Sequence, residues 1–386
     1  MIRFISGVVA LSVLTALPLS SSAHPGDTPP VIKIAPGMTF ADAKEPHVAV
    51  GSGGQVYVAF GMGNIVYCAV SPDGGKTYNV PVLVARVQNL SLGMRRGPRV
   101  AVAGRSVVIS AISGVEGAGK DGDLLAWRSP DQGKSWSGPV RVNDVRDAAR
   151  EGLHAMTAAV DGTIACTWLD LRNKGTQLYA SVSRDRGATW GKNVRVYASP
   201  DGTICECCHP SLAFDGKGNL HVMWRNALGG ARDMYLAESR DGGKSFGTAQ
   251  KLGRGTWVLN ACPMDGGAFS ISPTGTVTTF WQRNGEIFSC QPGSEEKSLG
   301  VGRQGWVAST ADGPYFVWSG ERTGAIGSAP GHTEQWKLAR NAVNPVVAAP
   351  LTGNGPVVAV WTSRDGLEGT VLTHGETYPG DKAKTP

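Results

Sequence analysis

The sequence is poor in the features that mark helical, nucleic-acid-binding and membrane-embedded proteins. Runs of strong helix formers are scarce, whereas the 386 residues include 53 glycines and 23 prolines, which argues against a helical fold. The net charge of +6 is mild and spread along the chain, without a basic cluster and interleaved aromatic residues, so nucleic acid is not expected as a partner. Beyond the N-terminal stretch, no segment is long and apolar enough to span a membrane.

The N-terminal stretch is typical of a secretory signal. Arg3 precedes an apolar run that Pro18 interrupts, and the small residues 21–23 form a cleavage site. We therefore predict a signal peptide over 1–23, a mature chain that begins at His24, and a periplasmic or secreted location. A membrane anchor is the alternative, but the run is short for one, and no cysteine follows that would carry a lipid.

Four segments repeat one pattern, in which a serine, an aspartate, a glycine, a hydroxyl residue and an aromatic residue keep fixed positions. A regular period of this size is typical of a propeller or a solenoid. In each segment we expect the aspartate to accept hydrogen bonds within a hairpin turn, and the glycine two positions later to adopt a left-handed conformation. The segments are 71–78, 129–136, 183–190 and 239–246, with aspartates Asp73, Asp131, Asp185 and Asp241.

A second repeat counts the structural units. It consists of an apolar strand, a turn that contains glycine, and a second apolar strand that often ends in tryptophan. Seven copies occur, at 48–60, 100–111, 156–168, 211–224, 268–281, 306–318 and 346–361. The sequence therefore favours an all-β propeller of seven blades, and six blades remain the alternative if one late copy is an insertion.

The last copy leaves room for only one more strand, at 369–374. The segment 31–34 can supply the missing strand and close the ring, which removes the unpaired edges that an open sheet exposes. We predict a single propeller domain over 24–377, followed by a disordered tail over 378–386.

The fourfold pattern resembles the Asp-box, also called the BNR repeat, of sialidases and related propellers. The resemblance covers nearly the whole mature chain and implies a β-propeller fold. In this family the boxes lie away from the active face. We call the strands of each blade A to D, from the axis to the rim.

Strand alternation determines which connections share a face. Because neighbouring strands are antiparallel, the Asp-boxes between C and D share one face with the A–B turns, and the D–A and B–C connections share the other. The second face carries the unusual ionisable residues, and those just before strand A should rim the mouth of the central channel. A concave mouth with converging polar groups is the default location of a site.

The candidate residues all lie on this second face. An arginine after a strand can also serve only as a loop cap or as an exposed ion pair of little energy. The candidates for catalysis are Arg172, Arg225, Arg283, Arg322, Arg364 and Asp170. The candidates for ligand binding are His154, His209, Arg225, Asn226, Asp265 and Arg283.

The same face carries four of the seven cysteines, on two neighbouring blades. An odd number leaves at least one thiol unpaired or bound to something else. The remaining three cysteines fall within strands and are expected to be buried as small hydrophobic side chains. The four are Cys205, Cys207, Cys208 and Cys262, and the three are Cys68, Cys166 and Cys290.

Three interpretations of the four cysteines stay open. In an oxidising compartment, one of the first three can pair with Cys262, or the two adjacent thiols can form a strained disulfide. Alternatively the thiolates, with His209, Met264 and His154, suit copper as Cu(I), which prefers sulfur; zinc would need a tetrahedral set, and the spacing matches no standard zinc pattern. A redox-active thiol pair is the third interpretation.

A Cys-x-Cys-Cys segment followed by a later Cys-Pro segment resembles a group of exported bacterial Asp-box proteins that are labelled sialidase-like without an assigned activity. A sialidase uses a tyrosine nucleophile, an activating glutamate, an aspartate as general acid/base and three arginines that clamp the sugar carboxylate. The early Arg-Ile-Pro segment of sialidases is absent here, where the chain reads Lys44-Glu45-Pro46-His47. No late tyrosine is prominent, and Tyr315 starts a strand.

Two functional hypotheses from different classes follow. In the first, a monomeric propeller binds a glycan, a peptide, another small molecule or a soft metal through the face that carries the cysteines and arginines. In the second, the protein is an exo-sialidase-type glycoside hydrolase with an altered first blade.

Overall fold

The computed structural model describes residues 29–35, 38–117, 119–320, 324–331 and 335–372. Within these residues the chain forms seven four-stranded antiparallel sheets, which confirms the prediction of a seven-bladed propeller. The predicted signal peptide over 1–23, the predicted tail over 378–386 and Arg322 lie outside the described residues. Among the described residues, no helix is long and apolar enough to cross a membrane.

The first half of the chain supplies the closing strand and blades 1 to 3. A short 3-10 helix at Met38–Phe40 separates the closing strand from blade 1. The strands are β1 (Ile32–Ala35), β2 (Lys44–Val50), β3 (Val56–Met62), β4 (Ile65–Ser71), β5 (Val82–Arg86), β6 (Arg99–Ala103), β7 (Ser106–Ser113), β8 (Asp123–Ser129), β9 (Ser137–Arg141), β10 (Ala149–Ala158), β11 (Ile164–Asp170), β12 (Gln177–Ser183) and β13 (Val194–Tyr197).

The second half supplies blades 4 to 7. Its strands are β14 (Ser211–Phe214), β15 (Leu220–Arg225), β16 (Met234–Ser239), β17 (Gln250–Lys251), β18 (Gly267–Ile271), β19 (Val277–Arg283), β20 (Glu286–Cys290), β21 (Lys297–Val301), β22 (Arg303–Ser309), β23 (Pro314–Ser319), β24 (Gly324–Ser328), β25 (Trp336–Arg340), β26 (Val343–Ala348), β27 (Val358–Ser363) and β28 (Gly366–Val371).

The ring closes as the sequence predicts. Strand β1 pairs with β28 and completes blade 7 in the order β1-β28-β27-β26, with Ile32 opposite Gly369. Strand β28 begins three residues earlier than expected. The reason is a tight turn after β27, in which Ser363 pairs directly with Gly366.

Apolar clusters fill the space between adjacent blades. The indoles of Trp168, Trp224, Trp318 and Trp361, all on second strands, are fully buried. Truncating a buried aromatic side chain of this size costs about 3–5 kcal/mol, so these residues hold neighbouring blades in place. Cys68, Cys166 and Cys290 are also buried within strands, as expected.

Each Asp-box forms the same hydrogen-bonded hairpin, as the third box illustrates. Oδ1 of Asp185 accepts bonds from Ser183 Oγ (2.7 Å) and Thr189 N (2.9 Å), and Oδ2 accepts one from Thr189 Oγ1 (2.6 Å). The Ser183 hydroxyl in turn accepts a bond from the backbone N–H of Gly187, whose φ is 84°. The predicted turn chemistry is thereby confirmed.

The ring has two distinct ends. We call the end with the Asp-boxes and A–B turns the turn end, and the end with the D–A and B–C connections the loop end. A channel of about 240 Å³ runs between the innermost strands, and half of the residues that line it are alanine or valine. Its lining extends from His47 and Trp306 towards the loop end to Asp215, Pro273 and Leu351 at the turn end.

Candidate functional site

The D–A connections converge across the axis at the loop end, as strand alternation predicts. Nη2 of Arg95, which precedes blade 2, donates to the carbonyl oxygens of Gln304 and Pro345 in blades 6 and 7, the second at 2.9 Å. The backbone N–H of Arg95 donates to Oε2 of Glu45 in blade 1, at 3.0 Å. One arginine therefore ties together four blades.

Neighbouring connections extend this network. Nδ2 of Asn344 donates to Oε1 of Glu45 (2.7 Å), and the N–H of Gln304 donates to Oδ2 of Asp265 (2.7 Å). Glu45, Gln304 and Asn344 occupy matching bulges at the start of strand A, with φ of 55°, 54° and 55°. Non-glycine residues in this region of φ cost of order 1–3 kcal/mol each, and the surrounding contacts hold them there.

The network closes the channel, whereas the sequence suggested an open mouth. Glu45 and Arg95 are each 2 % exposed and Asp265 is 3 % exposed, although all three lie at or just before the start of an innermost strand. The long side chain of Arg95 spans the axis and takes the place of solvent. Burial raises the pKa of both Glu45 and Asp265, and the nearby arginines oppose that shift only in part.

Three histidines pack around this closure. The ring of His209 stacks on Trp306 at 5.7 Å, and its Nδ1 accepts a bond from the Gly266 N–H (3.3 Å). The Nε2 of His154 is 2.9 Å from Ser110 Oγ, and His47 packs edge-on against Trp306. Burial, reinforced by nearby arginines, lowers the pKa of His209 well below its usual value and that of His154 to about 3, so both rings are neutral at pH 7.

Of the predicted arginines, Arg225 is fully enclosed. Its guanidinium donates to the carbonyl oxygens of Asp265 (3.0 Å), Arg232 (2.6 Å) and Gln282 (2.7 Å), which fastens blade 4 to blade 5. The adjacent Asn226 is also buried and donates to the hydroxyl of Tyr197 (3.0 Å). Both residues therefore lie at the loop end, but their side chains are buried and already hydrogen-bonded, so they are not presented to a ligand on its surface.

The other predicted arginines do not gather into one clamp. Arg172 binds the buried carboxylate of Asp170 (2.8 Å) and also Asp144 (2.7 Å), all within the blade 3 region. Arg283 pairs with Glu296 (2.6 Å) inside blade 5. Arg364 is exposed in the β27–β28 turn. Each described arginine thus has its own local environment.

The cysteine segment lies in the connection between β13 and β14 and is held by its neighbours. The N–H of Cys205 donates to the carbonyl oxygen of Arg225 (3.2 Å), and the carboxylate of Glu206 pairs with Arg150 of blade 3 (3.1 Å). As a result Cys205, Cys207 and Cys208 are 1 %, 7 % and 2 % exposed.

The three sulfur atoms of this segment form a compact group. The sulfur of Cys205 is 3.3 Å from that of Cys208 and 3.8 Å from that of Cys207, and none is bonded to another. Hydrogen bonds with the thiols of Cys207 and Cys208, helped by Arg225, hold the pKa of Cys205 well below that of a free thiol. The bond with Cys205 raises the pKa of Cys207, and burial raises that of Cys208.

Blade 5 contributes two further sulfur atoms. Met264 packs against the three cysteines, and the exposed Cys262 interacts with Cys207, an interaction that raises the pKa of Cys262 to about 11. His209 and His154 point into the channel closure and are not part of this sulfur group. The sulfur cluster is therefore formed by Cys205, Cys207 and Cys208, with Met264 and Cys262 beside it.

The sequence interpretation did not include Arg95, Glu45, Gln304, Trp306 and Asn344 among the candidate residues. The available signal was their position, because each lies within four residues of the start of an innermost strand. Without the distances across the ring, that position does not distinguish them from ordinary loop residues.

The fold and the four repeated hairpins define the class of this protein as an Asp-box β-propeller. The chain belongs to the family described as BNR repeat-like domain, whose model matches residues 65–260. This result confirms the sialidase-like Asp-box resemblance that the repeats suggested. No curated protein sequence matches the chain significantly.

Three solved structures illustrate the fold-level similarity. A protein of unknown function from Dyadobacter fermentans is 16 % identical, with 90 % of this chain and 99 % of that chain covered and a TM-score of 0.54. The alpha-L-arabinanase of Penicillium chrysogenum, complexed with arabinobiose, is 14 % identical and has a TM-score of 0.54. The match covers 90 % of this chain and 98 % of the arabinanase chain. YCF48 bound to D1 peptide is 12 % identical and has a TM-score of 0.51, and the match covers 93 % of this chain and 99 % of the YCF48 chain. At these identities the similarity concerns the fold alone.

Proposed function

We propose that this protein is an exported propeller that binds a soft metal ion, Cu(I), at its sulfur cluster. The observation that carries the proposal is the grouping of three buried, unbonded sulfur atoms within 4.8 Å of one another in a single connection. Sulfur ligands select Cu(I) over harder ions, and the adjacent thioether of Met264 belongs to the same ligand class.

The distances suit a shared ion. Metal–sulfur bonds of about 2.3 Å place two ligand sulfurs about 3.8 Å apart in a tetrahedral arrangement. The separation of Cys205 and Cys207 already has that value, at 3.8 Å, and Cys208 needs only a small outward shift from 3.3 Å. A disulfide would instead require the sulfurs to approach to about 2.05 Å.

The electrostatics of the cluster also favour a cation. Hydrogen bonds with Cys207 and Cys208, together with Arg225, lower the pKa of Cys205, which makes it the most readily ionised ligand of the cluster. The raised pKa values of Cys207 and Cys208 mean that a metal must displace their protons. Cu(I) binding should therefore release protons and strengthen as the pH rises.

The test is a competition between the reduced protein and a chromophoric Cu(I) chelator. We expect one equivalent of Cu(I) to bind, with a sulfur-only first shell in X-ray absorption. Cys205→Ser and Cys208→Ser should each weaken binding at least tenfold, because each removes one thiolate ligand. Cys290→Ala, which alters a buried thiol outside the cluster, is the matched control and should bind as the parent does.

The opposite outcome is equally well defined. A stoichiometric disulfide that joins Cys262 to one of the three cluster cysteines in protein from the oxidising compartment, together with no Cu(I) uptake after reduction, would overturn the proposal. Equal affinities of the parent and both serine variants would do the same.

The glycoside hydrolase alternative has less support. Three of the four described candidate arginines are engaged elsewhere, with carboxylates at Arg172 and Arg283 and with backbone carbonyls at Arg225, and the exposed Arg364 alone does not make a three-arginine clamp. Similarity to an arabinanase complexed with arabinobiose, or to a propeller bound to a peptide, extends only to the fold.

A further inference from the structure

Blade 4 carries a second group of metal-ligating side chains, at the turn end. His221 in β15 pairs directly with Glu238 in β16 and with Ala213 in β14, so these three side chains project from the same face of the sheet. Asp215 lies two residues beyond Ala213 and shares that face. An imidazole nitrogen and two carboxylate oxygens from Asp215, His221 and Glu238 lie within 4.8 Å of one another.

The corresponding position is built differently in the other Asp-box blades. In those blades, the residues that correspond to His221 and Glu238 do not form a histidine–carboxylate pair. They lie against the Asp-box of the next blade: Val70 lies next to Gly133, and Val182 lies next to Gly243. The pairs are Tyr57 with Val70, Val108 with Arg128 and Ala165 with Val182. Blade 5 has no Asp-box pattern in its turn at 291–296, so the position next to blade 4 lacks the box that the preceding blades meet.

His221 has an unused ligand atom aimed into the group. The residue is only 9 % exposed, and among the described residues its Nε2 has no hydrogen-bond partner. Oδ2 of Asp215 lies 3.6 Å from this nitrogen, which is beyond hydrogen-bonding distance but close enough for an ion pair if the ring is protonated. A buried, unpartnered imidazole nitrogen is costly unless another species binds it.

Both carboxylates are ionised near neutral pH. Partial burial alone would raise the pKa of Asp215, but hydrogen bonds from Asn219 and Lys217 lower it overall. The pKa of Glu238 is lowered by its bond with Arg240 (2.9 Å), and this exposed arginine can move away when a cation arrives. The backbone bonds to Asp215 use Oδ1, whereas Oδ2 accepts a bond from Nδ2 of Asn219 (2.9 Å) and keeps a further lone pair on the side of His221.

We propose that Asp215, His221 and Glu238 form a binding site for a divalent transition metal ion, Zn²⁺. One imidazole and two carboxylates are established zinc ligands, and bonds of about 2.0–2.1 Å in a tetrahedral arrangement separate ligand atoms by about 3.4 Å, close to the observed 3.6 Å between His221 and Asp215. Three protein ligands leave the fourth position free for water or another ligand. This site is independent of the sulfur cluster, which lies at the other end of the ring.

The experiment uses the imidazole resonances of His221 in NMR spectra of the full-length mature protein, assigned by their loss in His221→Gln. We expect Zn²⁺ to shift these resonances in a saturable way. Asp215→Asn and Glu238→Gln should each weaken the apparent affinity at least tenfold, because each replaces an anionic ligand with an amide. The matched control is Asp161→Asn, which changes the A–B turn aspartate of blade 3, where Ala165 and Val182 stand in place of the histidine and glutamate.

The readout separates this site from the sulfur cluster, because Zn²⁺ bound only by cysteines leaves the resonances of His221 unmoved. Unmoved resonances in the folded protein, or equal affinities in the parent and both carboxylate variants, would overturn the inference. If a variant loses its fold by circular dichroism, the other carboxylate variant decides the question. A result against this site leaves the Cu(I) proposal untouched.

Discussion

The two ends of the ring are built on opposite principles. At the turn end, four Asp-boxes repeat one set of hydrogen bonds, and each box satisfies its own groups within seven or eight residues of chain. The distance from Ser Oγ to Asp Oδ1 is 2.8, 2.8, 2.7 and 2.8 Å in the four boxes. At the loop end the described connections share no such hydrogen-bonded motif, and polar groups such as Arg95 find their partners in distant blades.

This difference explains where function can develop. Local turns form wherever their short pattern occurs, so they stabilise each blade separately and leave the other end free to vary. The loop end carries a buried charged network, which needs residues from several blades, and the sulfur cluster, which lies in one connection with Met264 and Cys262 of the next connection beside it. Damage should therefore remain local at the turn end and spread through the ring at the loop end.

The substitution Arg95→Ala should produce the largest effect. Removing one member of a buried charged network costs about 3–5 kcal/mol, because it leaves the carboxyls of Glu45 and Asp265 buried without the compensating charge. Denaturant unfolding of the purified protein measures this cost. Arg364→Ala is the control at the same end, and because Arg364 is exposed its substitution should change stability by less than about 0.5 kcal/mol. Equal losses in both variants would show that the buried network around Arg95 contributes no more to stability than an exposed arginine at the same end.

Acid should weaken the loop end before it affects the Asp-boxes. The pKa of His154 is about 3 in the folded protein, against about 6.5 in the unfolded chain. A lowered folded-state pKa contributes stability that is complete above pH 6.5 and is lost as the pH falls towards 3, at up to about 1.4 kcal/mol per pH unit. The lowered pKa of His209 likewise makes the protein less stable as the pH falls. The raised pKa values of Glu45 and Asp265 have the opposite effect, because those carboxyls take up protons more readily in the folded protein.

Comparing the parent with His154→Gln isolates this contribution. Between pH 7 and 5, the free energy of unfolding measured with denaturant should fall less steeply in the variant. The difference in slope should correspond to at most one proton taken up on unfolding, whatever the absolute stability of the variant. An unchanged slope would show that His154 titrates normally in the folded protein and is not held neutral by burial.

The sequence predicts the structure of the turn end better than that of the loop end. The Asp-box contacts lie within a few residues, so their pattern predicted the hairpins, the blade period and the position of the cysteines on the opposite face. Arg95 bonds to residues 209 and 250 positions away, and no local pattern encodes such a pairing. The closed channel was likewise unpredictable, because strand alternation indicates which residues meet but not whether a long side chain fills the space between them.

A smaller effect at the turn end completes the comparison. Asp185→Ala removes acceptors for Ser183 and Thr189 in an exposed turn where water can replace them, so we expect the free energy of unfolding to fall by only about 1 kcal/mol.

Partial burial would raise the pKa of Asp185, but these hydrogen bonds lower it to about 2. The contribution of Asp185 to stability is therefore complete above about pH 4 and is lost as the pH falls towards 2. Asp185→Asn keeps the Oδ1 acceptor, and it should retain most of the stability at pH 7 while losing the acid dependence below pH 4. Thermal unfolding at pH 7 and pH 3 measures both quantities. A loss in Asp185→Ala as large as that in Arg95→Ala would mean that an Asp-box contributes as much to stability as the loop-end network.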